Sequence, residues 1–140
     1  SNPIEVVLAG LEIQNYMLAH KAEREAKGEE FWELRLGIHT GELIAGVIGK
    51  KRFAYDIWGE TVNTASRMES SGEPGKINIS ETTYDYVKNY FECTPRGKIK
   101  AKNKGEMHMY FVERINREYA EDDDGIKPNE KLQAIINDLR

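Results

Sequence analysis

The stretch Tyr55-Asp56-Ile57-Trp58-Gly59-Glu60-Thr61-Val62-Asn63-Thr64-Ala65-Ser66-Arg67-Met68 restricts the fold of this chain more than any other. Phe53–Ile57 has the composition of a strand, and Gly59 permits a tight turn directly after it. Glu60–Ser70 then reads as a helix with an acidic residue in its first turn, where the helix dipole favours negative charge. Val62 and Ala65 are expected to face inward. Asn63 and Arg67 stand four residues apart and so project from one face of that helix. A strand that hands over to a polar-faced helix implies a sheet with helices packed against it.

The rest of the chain fits that expectation. Asn2-Pro3 is a helix start, and Ile4, Val7, Leu8, Leu11 and Leu18 recur at helical spacing until the charged run Lys21–Lys27 and Gly28. Phe31–His39 alternates, with Leu34, Leu36 and Ile38 on one face, as a half-buried strand does. Leu43–Ile48 is apolar throughout, like a central strand, and Gly49-Lys50-Lys51-Arg52 turns it back into Phe53–Ile57. Ser71–Gly75 is a loop, Ile77–Ile79 a short strand, and Ser80 caps a helix carrying Tyr84 and Val87. Two further strands are expected near Lys98–Ala101 and Met107–Glu113. Tyr119–Asn129 reads as an acidic, structureless linker before a short amphipathic helix with Leu132, Ile135, Ile136 and Leu139. The fold class is therefore α+β, with helices packed on a largely antiparallel sheet.

Composition excludes several functions. The 140 residues suit one domain, and 39% hydrophobic with 31% charged residues is the mix of a globular protein. A formal charge of −4 argues against a nucleic-acid partner. The longest apolar runs, Val6–Leu11 and Leu43–Ile48, are too short to cross a membrane. Cys93 is the single cysteine, which rules out an internal disulfide and suits a reducing, cytoplasmic setting. His20, His39 and His108 lack ligand spacing, and Asp122-Asp123-Asp124-Gly125 fails as a calcium loop because Lys127 and Gln133 occupy its required Gly and Glu positions. No metal ligands are assigned. Gly37, Gly41, Gly46 and Gly49 match neither phosphate-loop pattern and are expected to permit turns and close strand packing.

The polar residues of the central stretch admit two readings each. Asp56 can accept a hydrogen bond from an exocyclic base amine, or serve as an N-terminal partner of the following helix. Asn63 and Arg67 can bind sugar and phosphate oxygens, or form a solvated helix face. Lys98, Lys100, Lys102 and Lys104 alternate along what is in part the water-facing side of an edge strand.

Taken whole, Tyr55–Met68 resembles the signature of the class III nucleotide cyclases, the adenylyl and guanylyl cyclase family. The resemblance runs from about Phe31 to Val112, and the opening helix is consistent with it. It implies a ferredoxin-like cyclase fold and conversion of ATP to cyclic AMP and pyrophosphate. Asp56 would select adenine, since guanylyl cyclases usually carry a smaller residue such as Cys there. Asn63 would orient the ribose, Arg67 would stabilise the cyclisation transition state, and Ile57 and Trp58 would border the nucleotide (Trp58 alternatively a dimer contact). Lys102 matches the triphosphate-binding lysine, although a one-residue slip in alignment would give that role to Lys104. Family sites lie between two domains, so the resemblance also implies a second cyclase domain, as a homodimer. It implies Mg²⁺ or Mn²⁺ held by two aspartates on strands nearer the N-terminus. Nothing before Phe31 matches those aspartates, Glu5 and Glu12 included. The chain is thus expected to be a fragment: residues 1–115 form the later portion of a catalytic domain and 116–140 the acidic linker and final helix. Alone it should be inactive. A non-catalytic cyclase-homology module for dimerisation or regulation, or a guanylate cyclase, are the alternatives.

Overall fold

The computed structural model describes residues 2–40, 60–101 and 105–139. Helix α1 spans Pro3–Ala26, and its start is set locally: Asn2 Oδ1 accepts from the Glu5 amide at 3.0 Å with Pro3 in the first turn. Ile4, Val7 and Leu11 are buried, but Leu18 is 50% exposed. Gln14 takes the next inward position instead and donates to the carbonyls of Leu34 (2.7 Å) and Lys76 (2.8 Å). The helix continues through the charged run, where Glu23–Lys27 pairs at 3.2 Å, and Gly28 ends it with a left-handed φ of 69°.

Four strands are present among the described residues: β1 (Leu36–Ile38), β2 (Ile77–Ser80), β3 (Phe91–Ala101) and β4 (Gly105–Ile115), in the order β1-β2-β4-β3. β1 pairs with β2 in parallel, whereas β2–β4 and β3–β4 are antiparallel. The α+β expectation with a largely antiparallel sheet therefore holds. Helix α2 (Glu60–Ser70) precedes β2, helix α3 (Glu81–Val87) follows it, and helix α4 (Glu130–Asp138) closes the chain.

The sheet separates two cores. Ile77, Ile79, Val112 and Ile115 meet α1, α3 and α4 through Ile4, Val7, Leu11, Val87, Leu132 and Ile136. Met109, with Met107 and Ile99, packs against Met68 of α2 on the other face. Helix α2 turns Thr64 and Met68 fully inward, and Ala65, expected to be inward, is only half-buried.

Three expectations are corrected. The strand read over Phe31–His39 contracts to Leu36–Ile38, because the Leu34 carbonyl is already taken by the Gly75 amide at 2.9 Å and by Gln14. The two short strands near Lys98 and Met107 are instead an 11-residue pair that begins at Phe91. The Tyr119–Asn129 segment is ordered: Ala120 bridges Pro128, the Ile115 amide donates to the Gly125 carbonyl at 2.9 Å, and Arg114 donates to the Asp123 carbonyl at 2.7 Å. Helix α4 then buries Leu132 and Ile136 in the main core. The strands expected at Leu43–Ile48 and Phe53–Ile57 lie outside the described residues.

Burial, and secondarily the charge of Glu113, pushes the Cys93 thiol from an ordinary 9.0 up to about 12. The thiolate is the reactive form, so native alkylation at neutral pH should run roughly 100- to 1,000-fold slower than in urea. Equal iodoacetamide rates in the folded and unfolded states would contradict that placement.

Candidate active site

Helix α2 is the platform of the candidate site. Successive residues are about 100° apart around a helix. Arg67 therefore lies at the margin of the buried row formed by Thr64 and Met68, one turn along the helix from Asn63. Arg67 is half-buried at that margin. Of the residues assigned from sequence, Asn63 and Arg67 are brought onto one described element. Asp56, Ile57, Trp58 and Lys102, with the alternative Lys104, lie outside the described residues.

The far end of α2 is fixed unusually closely to the sheet. A β-carbon on Gly37 would overlap the backbone of Met68 and Glu69, with Glu69 Cα 2.6 Å away. The absence of a side chain at that point of β1 is what lets the helix lie directly on the strand. Asn78 is fully buried in β2 between two core isoleucines and points to the α2 side. Its amide donates to the Met68 carbonyl at 2.9 Å, one of the helix-end carbonyls that lack an intrahelical partner, and approaches Met109 Sδ at 3.3 Å. Its Oδ1 accepts from Arg96 Nη1 at 2.9 Å. Arg35 pairs with Glu69 at 3.0 Å on the exposed side.

Asn78 and Arg96 were not singled out from the sequence, and Gly37 only as one of four glycines expected to permit turns and close strand packing. The available signals were a glycine inside an apolar alternation, an amide within Ile-x-Ile, and the turn-like Pro95-Arg96-Gly97 inside a strand.

A polar chain lies where β1 and β2 end. His39 Nδ1 and Ser80 Oγ are 2.8 Å apart, Ser80 Oγ and Thr83 Oγ1 3.3 Å, and Thr83 Oγ1 and Thr40 Oγ1 3.0 Å. Ser80 also caps α3, accepting from the Thr83 amide at 3.4 Å, as its sequence position implied. His39 thus anchors the chain just before residue 41, although no role was assigned to it from sequence.

No three His, Cys, Asp or Glu side chains among the described residues come together as a cation site. These residues do not fit the divalent cation implied by the resemblance. A groove of about 740 Å³ between α1 and the 121–128 loop, lined by Leu8, Tyr16, Lys127 and Pro128, belongs to the face away from α2. No described helix is long and apolar enough to cross a membrane.

A family model described as the adenylate and guanylate cyclase catalytic domain matches residues 4–114, which brings α1 into the matched region. A guanylate cyclase soluble subunit beta-2 from Rattus norvegicus is 51% identical over 81 residues, covering 57% of this chain and 12% of its own length. An adenylate cyclase from Mycobacterium tuberculosis is 41% identical over 103 residues, covering 74% of this chain and 23% of its own. The crystal structure of the adenylyl cyclase CyaB from P. aeruginosa aligns with a TM-score of 0.67 at 28% identity, over 84% of this chain and 62% of that one. The guanylate cyclase domain of RhGC from Catenaria anguillulae, in complex with GTP, aligns with a TM-score of 0.61 at 34% identity, over 79% and 58%. The chain therefore spans less than a quarter of those two curated relatives and about three fifths of those two solved chains.

Proposed function

Because this chain belongs to the adenylate and guanylate cyclase catalytic-domain family, we propose that it supplies the purine-selecting and transition-state half of an adenylate cyclase site. The observation that carries this reading is the placement of Asn63 and Arg67 one turn apart on a helix locked to the sheet by Gly37 and Asn78. In the reaction the ribose 3′-oxygen forms a bond to the α-phosphorus. The bond from that phosphorus to the bridging oxygen breaks, pyrophosphate departs, and the hydroxyl proton is released. Arg67 donates to the phosphoryl oxygens as charge gathers there, the kind of preorganised contact that contributes most to rate. Asn63 orients the ribose, Asp56 accepts from the adenine amine, and Lys102 offsets triphosphate charge. A second copy of the domain completes the site, with any Mg²⁺ or Mn²⁺ ligands coming from outside the described residues.

Relatives of both nucleotide types are similar to this chain, so Asp56 is the feature that favours ATP. The test is an assay of the protein expressed from its full reading frame, with ATP or GTP, following cyclic nucleotide and pyrophosphate. ATP should be preferred, and Asp56→Cys should lower kcat/KM for ATP by about 10- to 100-fold, the loss of one hydrogen-bonded recognition contact. A preference for GTP would overturn adenine selection and leave a guanylate cyclase. Absence of either product would favour a non-catalytic dimerisation module.

A further inference from the structure

We propose that Arg96 is a positioning residue that ties the lysine-bearing strand β3 to the end of helix α2, so that the two move as one body. The inference rests on the reading of α2 as the transition-state helix. Arg96 is half-buried beneath that helix. Its Nη1 donates to the Ser71 carbonyl at 2.8 Å, just past the last turn of α2, and to Asn78 Oδ1 at 2.9 Å. Its guanidinium carbon stands 4.2 Å from the centre of the Phe111 ring on β4, within cation–π range. One planar group thus joins α2, β2, β3 and β4. A cation at this end of a helix also meets the negative end of its dipole.

The backbone is shaped to aim this side chain. Thr94 pairs with Phe111 and Pro95 with Tyr110, but the next pair is Lys98 with His108, so Arg96 and Gly97 together oppose Met109. That is a β-bulge, with Gly97 at a left-handed φ of 73°. Without the extra residue the alternation would turn Lys98 toward α2 and Ile99 away from it. With it, Arg96 and Ile99 both face the helix, and Ile99 packs with Met68, Met107 and Met109. Six residues beyond Arg96, β3 leads to Lys102. The strand that delivers the triphosphate lysine is therefore bolted, through Arg96, to the helix that carries Asn63 and Arg67.

The test is made on the protein expressed from its full reading frame. Arg96→Met keeps much of the stem and removes the fork; Arg96→Lys keeps the charge but cannot reproduce the planar geometry. Misplacing catalytic groups by about 1 Å costs on the order of 100-fold, so Arg96→Met should lower kcat by roughly 10- to 100-fold while KM for nucleotide changes less than about threefold. Arg96→Lys should recover only part of the loss. In an Arg67→Ala background, Arg96→Met should cost little more, because both act through the same group. Fully additive losses, or an unchanged kcat, would overturn the proposal. Should the Met variant not fold, the Lys variant carries the same kcat-against-KM comparison. Amide exchange at Ser71 and Gly72 is read in parallel and should accelerate in either variant. If the parent protein makes no cyclic nucleotide, the functional reading fails by itself, and unchanged exchange at those two amides would separately overturn the mechanical link.

Discussion

Replacing Arg67 by alanine in the protein expressed from its full reading frame should lower kcat by about 100- to 1,000-fold, the usual loss when one preorganised donor to a developing oxyanion is removed. The ground-state nucleotide is also held by groups elsewhere, so KM should move far less than kcat. The fold should tolerate the change. Arg67 is half-buried at the margin of α2, and among the described side chains of that helix Thr64 and Met68 are the buried ones. Alanine is the better helix former by a few tenths of a kcal/mol, which offsets part of any contact the guanidinium gives up, so the fall in melting temperature should be small beside the loss of rate. Arg67→Lys should recover only a minor part of the rate, because an ammonium lacks the planar fork that can grip two phosphoryl oxygens. Steady-state kinetics beside a melting curve decides the matter. A variant that keeps the parent rate would remove Arg67 from the chemistry, and a fall in melting temperature matching the loss of rate would make it structural.

The parts of this molecule legible in its sequence are those decided within a few residues. Asn2-Pro3 fixes the start of α1, Ser80 caps α3, and the bounds of α2 come out as the composition of Glu60–Ser70 implied. The Asn63–Arg67 pair was legible for the same reason, since helical spacing alone puts the two on one face. Contacts that reach across the chain were not legible. The first half of β3 was missed because Glu92, Thr94 and Pro95 weaken its alternation and the bulge at Arg96-Gly97 shifts its period. What holds that half in the sheet is its pairing with β4, and a local pattern does not show which strands pair. Asn78 and Arg96 resembled ordinary polar residues, and their importance arises from an 18-residue separation in sequence that the fold closes to 2.9 Å. The 119–129 segment has the composition of a solvated linker, yet its order comes from backbone bonds to Ile115, Tyr119 and Arg114, to which composition is blind. Asp56 and Lys102 depend on the family resemblance more than on any physical pattern around them.

Gly37→Ala should be among the most damaging small substitutions in the chain, because it tests the contact that places α2. The added β-carbon would overlap the peptide between Met68 and Glu69 and stand 2.6 Å from Glu69 Cα. A flexible side chain could swing aside, but helix backbone cannot. Either α2 rises from β1 or the strand is displaced, and both loosen the Met68–Met109 core and the Asn78 bond to the Met68 carbonyl. Overpacking of this kind costs about 1–3 kcal/mol and sometimes more, which for a domain of this size lowers the melting temperature by roughly 5–15 °C. Below that temperature, the proposed activity of the protein expressed from its full reading frame should still fall at least tenfold, since Asn63 and Arg67 move with the helix. Gly28→Ala is the matched control. Its φ of 69° makes alanine strained, but nothing lies within 4 Å of the new carbon. Backbone strain alone is worth about 1–2 kcal/mol there, with no effect on rate. Equal stability losses and equal activity in the two variants would show that α2 does not rest on the β1 backbone, and the positions of Asn63 and Arg67 would then need another support.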